Sequence, residues 1–422
     1  MTDTAMSETT YLVVGSSHAA LEAITAIRIQ DGEGSLTLVT RDHHLPYSPT
    51  LLPYVVCGRA PAERVFLRDD QYFSEQHVAY RRGHALEKLD SQGHAAVLAD
   101  GSEIRYQKLL LATGAEPAIP PIPGIDDVHY HVLRSLDDAL RLKAAIGHAK
   151  RAVVLGGGLV GMHAAENLVK AGAQVTVLEN RGQVLGGYFD EIAAGFIEKA
   201  FAENGARILT GCRVVGLVRE GDGARLMLEN GDTIEADLLL VATGVKPQTD
   251  YLEGSGVEFD AGILVDDAMR TSQADVWAAG DCAQARDFFG QGPILNAILP
   301  DATEQGRIAG MDMAGDPAAK RYCGGVPLNT YRFFGRHAVS VGMTHLPAGA
   351  KEYVRHDAAH ARYLRAVLKD GCLLGIASIN EFFDGGVMWQ LIRRRIDLSR
   401  DLDRLIADPL NTGRDIMSRT WR

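Results

Sequence analysis

The chain has 422 residues and a formal net charge of −11, with 46% hydrophobic and 23% charged residues. This length predicts two or three folded domains, and the negative charge argues against general binding to nucleic acid or to a membrane surface. The longest apolar runs are only as long as a strand, so we expect neither a signal peptide nor a membrane-spanning helix. Five scattered cysteines without a C-x-x-C pair or zinc spacing predict free thiols in a reducing cytoplasm and no metal site. The polar residues 1–9 are expected to be mobile.

The first structured stretch contains a degenerate dinucleotide-binding turn. Residues 11–15 have the pattern of a buried strand, and a helix is predicted from there to about residue 30. Gly15, Ser17 and Ala20 stand at the three positions of the G-x-G-x-x-G/A fingerprint, which brings a helix N-terminus against a pyrophosphate. Alanine is accepted at the third position, and a serine at the second can still approach a phosphate. His18 lies in the same turn and is a further candidate contact.

The ribose-binding acid of this motif is not in its usual place. The next strand is predicted at 36–40, and the fingerprint normally ends there in an acid that accepts from the hydroxyls of an adenosine ribose. Arg41 stands at that position, and Asp42 follows it. Asp42 either takes the ribose role or leaves it unfilled.

A proline-rich segment, 44–54, comes next, and its prolines prevent a continuous helix before Pro53. The elements predicted after it are a helix at 69–76, two strands flanking a turn at 100–101, a strand at 109–114 and a helix at 137–146. The strand at 109–114 ends in an Ala-Thr-Gly turn that contains Thr113 and Gly114. The prolines at 117–123 indicate a crossover between domains.

The stretch from 151 to 179 carries a complete dinucleotide-binding motif. Its elements are a strand at 152–155, a helix at 159–170 and a strand at 175–178. Gly156 allows the tight turn, Gly158 lets the backbone approach a pyrophosphate, and Gly161 lets helix and strand pack closely. Glu179 closes the second strand, where a carboxylate accepts from a ribose diol. The sequence therefore predicts dinucleotide binding here.

Later segments repeat the first unit. The predicted elements are a helix at 189–204, short strands within 207–236, a strand at 238–244 and a strand ending at 281. The strand at 238–244 ends in a second Ala-Thr-Gly turn, with Thr243 and Gly244, and this echo predicts two similar α/β units. Gly280 and Asp281 end the following strand.

The C-terminal part differs in pattern. A helix at 301–313 is predicted to begin with Asp301 as N-cap, because Glu304 completes a capping box. Strand-like runs at 331–334, 338–341, 362–368 and 373–379 precede a basic helix at 387–396. The predicted fold is α/β, with two Rossmann-like dinucleotide-binding domains and a C-terminal α+β domain. The expected domains are 1–116 with 245–319, then 117–244, then 320–422.

This order of two fingerprints, two Ala-Thr-Gly turns, a Gly-Asp strand end and an α+β domain resembles the FAD- and NAD(P)-dependent pyridine nucleotide-disulfide oxidoreductase family. The resemblance covers nearly the whole chain. It implies that the first unit binds FAD and the second binds the nicotinamide nucleotide. It also implies that Gly280 and Asp281 contact the ribityl-phosphate region of FAD. The helix start at Asp301 and Ala302 would face the flavin C2 carbonyl and stabilise the charge of reduced flavin.

One departure from the family concerns its thiol. Members that reduce disulfides or peroxides carry a cysteine beside the flavin, and Thr50 falls at that position here. Cys57 lies about two helical turns away and is expected to pack. Electrons must then leave the flavin directly, as in the ferredoxin, rubredoxin and nitrite reductase branch. That branch commonly has lysine and glutamate where Tyr54 and His163 stand, so these two residues either form a neutral pair beside flavin N5 or simply pack.

The nucleotide and the partner follow from similar comparisons. Glu179 would repel a 2′-phosphate, although Arg181 is close, so NAD(H) is expected over NADP(H). Residues 46–59 and 414–422 resemble FAD-binding electron-transfer subunits of anaerobic complexes of the phenylglyoxylate dehydrogenase type. The resemblance implies a hydride exchange between NAD(H) and flavin N5, then single-electron exchange with an iron–sulfur or ferredoxin-like partner in a hetero-oligomer.

Two other functions stay open at this point: a stand-alone NADH oxidase or ferredoxin or rubredoxin reductase, and a redox-sensing protein that only binds the nucleotides. The basic cluster 393–395 is either a solvated helix face or a docking patch for an acidic partner.

Overall fold

The computed structural model describes residues 6–290 and 292–420. The helices are α1 (His18–Gln30), α2 (Leu52–Val56), α3 (Asp70–Glu75), α4 (Leu136–Ile146), α5 (Leu159–Lys170), α6 (Glu191–Glu203), α7 (Leu299–Met313), α8 (Gly385–Arg393), α9 (Leu402–Ala407) and α10 (Pro409–Thr420). Short 3-10 helices lie at Pro49–Leu51, Ala62–Arg64, Ile125–Asp127 and Asp250–Leu252.

The strands are β1 (Met6–Val14), β2 (Leu36–Thr40), β3 (Val78–Arg82), β4 (Leu86–Asp90), β5 (Ala95–Leu98), β6 (Glu103–Leu111), β7 (Ala115–Pro117), β8 (Arg151–Leu155), β9 (Gln174–Leu178), β10 (Arg207–Leu209), β11 (Val214–Glu220), β12 (Gly223–Leu228), β13 (Thr233–Ala236), β14 (Leu238–Val241), β15 (Val245–Pro247), β16 (Ile263–Leu264), β17 (Val276–Ala278), β18 (Ala283–Arg286), β19 (Pro293–Ile294), β20 (Leu328–Phe333), β21 (Arg336–Gly342), β22 (Lys351–Asp357), β23 (Arg362–Lys369) and β24 (Cys372–Ile379).

Two sheets share one arrangement of parallel strands, although the first sheet is mixed, because β5 pairs antiparallel with both β4 and β6. Within the described residues, the first sheet has the order β3-β2-β1-β6-β5-β4, with β17 also pairing with β6, and the second has the order β10-β9-β8-β14. In the first sheet, β1 leads into the glycine turn and lies between β2 and β6. In the second sheet, β8 does the same and lies between β9 and β14. In both cases one neighbour follows the next helix and the other leads into an Ala-Thr-Gly turn. The repeat predicted from the two Ala-Thr-Gly turns is therefore a repeat of topology.

Strand β1 is buried on both faces, as its apolar run predicts. Tyr11 and Val13 pack with α1 and α7 in one hydrophobic cluster, whereas Leu12 and Val14 pack with the opposite side of the sheet in another. The strand thus forms the centre of the first unit. Its carboxyl end delivers the glycine turn to the edge of the sheet.

The C-terminal part is an antiparallel sheet of order β20-β21-β24-β23-β22 with α8, α9 and α10 packed against it. The sequence predicted four of these strands and one helix but missed β22, α9 and α10. Strand β22 was missed because it has no continuous apolar run. From Tyr353 on, only every second side chain is partly buried, and the side chains between them are exposed. Between the two parallel units, β7 pairs antiparallel with β15, so both crossings of the chain lie side by side.

Two predicted features need correction. Residues 6–9, expected to be mobile, form the start of β1 and pair with β6, while residues 1–5 lie outside the described range. The helix predicted at 301–313 begins at Leu299, with Ile298 as N-cap and a proline in its first turn. Asp301 is therefore not the N-cap. Over the described ranges, no helix combines the length and apolar character needed to cross a membrane.

Helices α1 and α7 approach each other at two glycines. A Cβ on Gly306 would overlap the backbone of Ala19, and one on Gly310 would overlap the backbone of Ala23. The absence of side chains at these two positions lets the helix backbones touch. Both helices begin at the same edge of the first sheet.

We expect Gly306→Ala to lower the free energy of unfolding by about 1–3 kcal/mol, because the added methyl group forces the two helices apart. Gly195→Ala is the matched control. Gly195 lies in α6, is exposed, and a Cβ there meets no atom within 4 Å. Alanine at this exposed helical site should stabilise by up to about 1 kcal/mol. Urea unfolding of both variants measures the difference, and equal effects of the two substitutions would contradict the close packing of α1 and α7.

Candidate functional site

An open cleft with a volume of about 260 Å³ follows the carboxyl ends of the parallel strands of the first sheet. The predicted site residues that line it are Gly15, Ser17, His18, Asp42, Thr50, Thr113, Gly114, Gly280, Asp281 and Ala302. They come from six separate segments. Four of these follow β1, β2, β6 and β17, and they converge because the carboxyl ends of parallel strands meet at one edge. Thr50 comes from a 3-10 helix and Ala302 from the start of α7. Ala20 is fully buried beneath the cleft.

The turn between β1 and α1 is open toward the cleft. Gly15 has φ +106°, and a Cβ there would overlap the carbonyl oxygen of Ala112. Ser17 is the N-cap residue of α1, but its side chain does not cap the helix. The N–H groups of the first turn therefore stay available to an anion, and the helix dipole favours a negative charge at this place.

Asp42 lies in the cleft just after β2. Its carboxylate accepts hydrogen bonds from the Tyr47 hydroxyl at 2.7 Å and from the His44 backbone N–H at 2.9 Å. These bonds fix the carboxylate and leave lone pairs for a further donor. Arg41 is bonded instead to Glu116 in β7. Of the two readings left open by the sequence, the ribose role of Asp42 is the one this geometry favours.

Arg134 is a cleft residue that the sequence analysis missed. Its Nη2 donates to Asp281 Oδ2 at 2.7 Å, and its Nε donates to the carbonyl oxygen of Ala115 at 2.8 Å. The bonds hold a guanidinium in the cleft, which the start of α1 also lines. The sequence contained a signal for the helix start next to Arg134. Ser135 follows Arg134 directly, and its capping box with Asp138 starts α4.

A chain of three polar side chains borders the cleft. The Ser48 hydroxyl lies 3.0 Å from Nε2 of His18 and 2.8 Å from the Thr50 hydroxyl. Ser48 is buried, while Thr50 is exposed to the cleft. Burial lowers the pKa of His18 below its ordinary value, although the nearby charge of Asp281 opposes the shift. His18 is therefore neutral at pH 7.

The start of α7 forms another wall of the cleft, through Ile298, Leu299 and Ala302. Asp301 does not line the cleft, because its side chain is buried behind this wall and only 1% exposed. Its Oδ2 accepts from the Asn296 amide, and within the described residues its Oδ1 has no hydrogen-bond partner. Burial raises the pKa of Asp301 to about 7, against the lowering effect of its bonds to Tyr322 and Asn296.

The basic cluster 393–395 is not simply a solvated face. Arg393 donates to both carboxylate oxygens of Glu304 at 2.7 Å, and its side chain is 15% exposed. The guanidinium also lies 4.4 Å from the centre of the Trp389 ring. Glu304 is in α7, so Arg393 ties the C-terminal domain to the helix that borders the cleft. The same contact occupies Glu304, which the sequence had assigned to a capping box.

The second glycine turn, between β8 and α5, repeats the first. A Cβ on Gly156 would overlap the carbonyl oxygen of Ala242, and one on Gly161 would overlap the carbonyl oxygen of Gly156. These two glycines are required by packing. Gly158 is different: it is the N-cap of α5, and a Cβ there would meet no atom within 4 Å. Its place faces open space, as the approach of a ligand requires.

Glu179 braces this turn from the end of β9. Its Oε2 accepts from the Gly157 N–H at 2.8 Å, and its Oε1 accepts from the Arg181 N–H at 2.9 Å. The carboxylate thus lies beside the open helix start. On the opposite side of β8, the Thr243 hydroxyl donates to the carbonyl oxygen of Ala118, and Gly244 follows with φ +119°.

Neither Tyr54 nor His163 lines the cleft. The ring of His163 packs edge-on against Tyr331, with 4.7 Å between ring centres, and burial lowers its pKa. Tyr54 lies on α2 and is 38% exposed. The packing alternative suits the position of His163, while the role of Tyr54 stays a prediction.

The buried Asp301 predicts a specific pH dependence of stability. Its pKa rises from 3.8 to about 7 on folding, so the folded protein holds a proton that the unfolded chain loses. Between pH 4 and 7 the free energy of unfolding should therefore fall with rising pH, by up to about 4 kcal/mol from this group. Asp301→Asn should flatten that part of the curve, whereas Asp222→Asn, in an exposed turn, should not. Urea unfolding at several pH values compares them, and parallel curves for the parent and Asp301→Asn would disprove the assignment.

In the described part of the chain, no group of three or more His, Cys, Asp or Glu side chains is arranged to hold a metal ion.

Comparison with known proteins agrees with this geometry. The chain is 62% identical over 421 residues to the NADH-dependent phenylglyoxylate dehydrogenase subunit epsilon of Aromatoleum evansii, which covers all of both chains. It is 28% identical to rhodocoxin reductase of Rhodococcus erythropolis, over 88% of this chain and 86% of that protein. Among solved structures, the covalent putidaredoxin reductase–putidaredoxin complex matches with a TM-score of 0.85 and 25% identity, over 94% of this chain and 98% of that chain.

The model of one protein family, described as pyridine nucleotide-disulphide oxidoreductase, matches residues 9–312. The predictions of the fold class and of the resemblance to a phenylglyoxylate dehydrogenase subunit are confirmed. The chain is an oxidoreductase. The predicted cofactors, FAD and NAD(H), are those that the matching family and the ferredoxin reductase-type structures use. It therefore belongs to the pyridine nucleotide-disulphide oxidoreductase family.

Proposed function

We propose that this chain is the NAD(H)-linked flavoprotein subunit of a larger dehydrogenase complex, in which it passes electrons between NAD(H) and an iron–sulfur subunit. The observation that carries the proposal is a pair of open helix starts, at α1 and α5, in a chain that matches a named dehydrogenase subunit along its whole length. Two such helix starts suit two dinucleotides. Bound FAD supplies hydride exchange with a nicotinamide and single-electron exchange with an iron–sulfur centre.

The cleft beside α1 suits FAD because its groups match that molecule in order. Asp42 would accept from the adenosine ribose, and the first turn of α1 with Arg134 would hold the pyrophosphate. Asp281, fixed by Arg134, would meet the ribityl chain. Thr50 and Ala302 would border the flavin ring, and the start of α7 would stabilise negative charge there.

The turn before α5 suits NAD(H). Gly158 leaves room for a pyrophosphate at the helix start, and Thr243 and Gly244 border the same edge of the sheet. Glu179 would accept from a free 2′-hydroxyl and repel a 2′-phosphate. Since Glu179 also holds the Gly157 N–H, the residue that selects the nucleotide also shapes the turn that binds it.

The cysteines and the absence of an iron–sulfur motif indicate the electron-transfer partner and the cellular location. One-electron centres have no motif in this chain, so the iron–sulfur centre belongs to another subunit or to a ferredoxin-like protein. The five cysteines are free thiols, which supports a cytoplasmic location. Docking through the whole 393–395 cluster is not supported, because Arg393 is held by Glu304.

The domain boundaries stay proposals at 1–116 with 245–319, 117–244 and 320–422. The pairing of β7 with β15 supports the two crossings, since both strands lie at the expected boundaries.

A free-standing reductase of a ferredoxin-type protein is the second candidate. The similarity to rhodocoxin reductase and to the putidaredoxin reductase complex favours it. Purification of the native chain decides between the two. Iron-containing subunits that co-elute in fixed ratio support the complex, whereas a chain that elutes alone and reduces only added ferredoxin contradicts it.

We expect Glu179→Ala to weaken NADH binding by about 1–3 kcal/mol, the value of a charge-assisted hydrogen bond, with no change in FAD content. Glu179→Gln keeps an acceptor for the Gly157 N–H but loses the charge, so it separates shaping of the turn from nucleotide choice. Its ratio of NADH to NADPH use should fall toward one. Titration of both nucleotides against the oxidised protein measures this, and equal affinities in the parent would refute the assignment.

The absence of a redox thiol at Thr50 predicts the electron capacity of the isolated chain. Anaerobic titration should require about one NADH per FAD, because no disulfide stores a second electron pair. The exposed thiols are Cys57 and Cys323. The double variant Cys57→Ser and Cys323→Ser should keep NADH-to-dye turnover, and uptake of two NADH per FAD by the parent would reveal a redox centre that we have missed.

A further inference from the structure

A buried carboxyl lies directly behind the wall of the cleft. Ala302 lines the cleft, whereas Asp301, the residue before it, does not line it and is only 1% exposed. Among the described residues, Oδ1 of Asp301 has no hydrogen-bond partner. A charged carboxylate is costly in such a place, because neither water nor a full set of donors compensates its charge. The carboxyl therefore binds a proton readily when its surroundings become more negative.

A cluster of polar side chains connects this carboxyl to a second part of the cleft wall. Oδ2 of Asp301 accepts from the Asn296 amide, and the Tyr322 hydroxyl donates to the same carboxyl. Gln305 bonds to Tyr322 and also accepts from the Gly280 N–H at 2.9 Å. Gly280 lines the cleft. The carboxyl thus belongs to one hydrogen-bonded cluster with groups that hold the cleft wall in place.

The charge of Asp301 is balanced near neutral pH. Within the described chain, the titratable groups that act on it are Tyr322 from the segment before β20, Glu304 from α7 and Arg393 from α8. Glu304 raises the pKa of Asp301 and Arg393 lowers it, and these two side chains are bonded to each other at 2.7 Å. Burial is the largest effect and raises the pKa to about 7. A small change in nearby charge therefore decides whether the carboxyl holds its proton.

Reduction of a flavin at the start of α7 is such a change. When an oxidised flavin takes up two electrons and one proton, its ring gains one negative charge, which the helix start favours. A unit charge at a distance of about 10 Å shifts a pKa by about one unit at an effective dielectric constant near 20. The coupling is reciprocal, so a charged Asp301 disfavours the reduced flavin by the same factor of about ten.

We propose that Asp301 takes up a proton from solution when the flavin is reduced and releases it when the flavin is reoxidised. The inference rests on the proposed function, because it requires a flavin ring beside Ala302. Asp301 does not touch the reacting atoms and acts through its charge. Its proton is returned when the hydride passes to NAD⁺, so the overall balance stays NAD⁺ + 2e⁻ + H⁺ → NADH. The bound proton neutralises the charge that reduction creates next to a buried carboxyl.

Spectroelectrochemical titration of the full-length, FAD-loaded protein from about pH 5 to 9.5 tests the proposal. Dye mediators carry the electrons, and the midpoint potential is an equilibrium quantity that needs no turnover. The equilibrium constant for reduction of Asp301→Asn should match that of the parent below about pH 6. Above about pH 9 it should be about tenfold larger, because only the parent then carries the extra negative charge. Asp222→Asn, in an exposed turn, is the control and should follow the parent at every pH.

A second variant tests the same carboxyl without removing it. Tyr322→Phe deletes a hydrogen bond that lowers the pKa of Asp301, so the pH range over which parent and Asp301→Asn diverge should move upward when Tyr322→Phe replaces the parent. The absorption spectrum of the reduced flavin reports protonation of the ring itself and separates it from protonation of Asp301.

A merely structural effect of Asp301→Asn would change the equilibrium constant by the same factor at every pH, and that result would overturn the proposal. A range that stays in place in Tyr322→Phe would overturn it as well. If NADH does not reduce the FAD-loaded parent, the proposed function fails instead, while the mediated titration still decides on Asp301.

Discussion

The site depends on one backbone contact that occurs twice. In each parallel unit, the glycine that follows the first strand lies against the carbonyl oxygen of the alanine in the Ala-Thr-Gly turn, at Gly15 with Ala112 and at Gly156 with Ala242. No side chain fits between them. The contact lets the chain turn directly from a buried strand into a helix, so the helix begins at the carboxyl edge of the sheet with its N–H groups uncapped. A larger residue at either glycine would displace that helix start.

The first unit adds a second helix start to the same cleft. Helix α7 reaches it only because Gly306 and Gly310 allow its backbone to touch α1. The opposite side of α7 meets the C-terminal domain, where Arg393 holds Glu304. The wall of the cleft is thus fixed from both sides, and the buried Asp301 lies between them. A change in the C-terminal domain can therefore act on the cleft through α7.

The second unit has the same glycine turn and open helix start, but fewer side chains fix them. Its turn is braced by Glu179, an acid from the neighbouring strand, where the first unit has Arg134 and Asp281 from distant segments. The difference is consistent with the proposed assignment. A shaped turn with a carboxylate suits a nicotinamide nucleotide that binds and leaves, and a long cleft suits a resident flavin.

The sequence by itself determined the two glycine turns, the succession of strand, turn and helix around each of them, and the acid Glu179, because each depends on residues within about thirty positions and on a strict local geometry. It could not predict that Arg134 binds Asp281 or that Arg393 binds Glu304, since these partners are 147 and 89 residues apart in the chain. Nor could it predict the contact between His18 and Ser48, which are 30 residues apart. It placed Asp301 as a helix cap from local spacing, while packing buried that carboxyl and moved the helix start to Leu299. Local chemistry decided where the chain turns and what each turn can bind. Only the tertiary structure decided which distant side chains meet there, because that depends on how the sheets and helices pack.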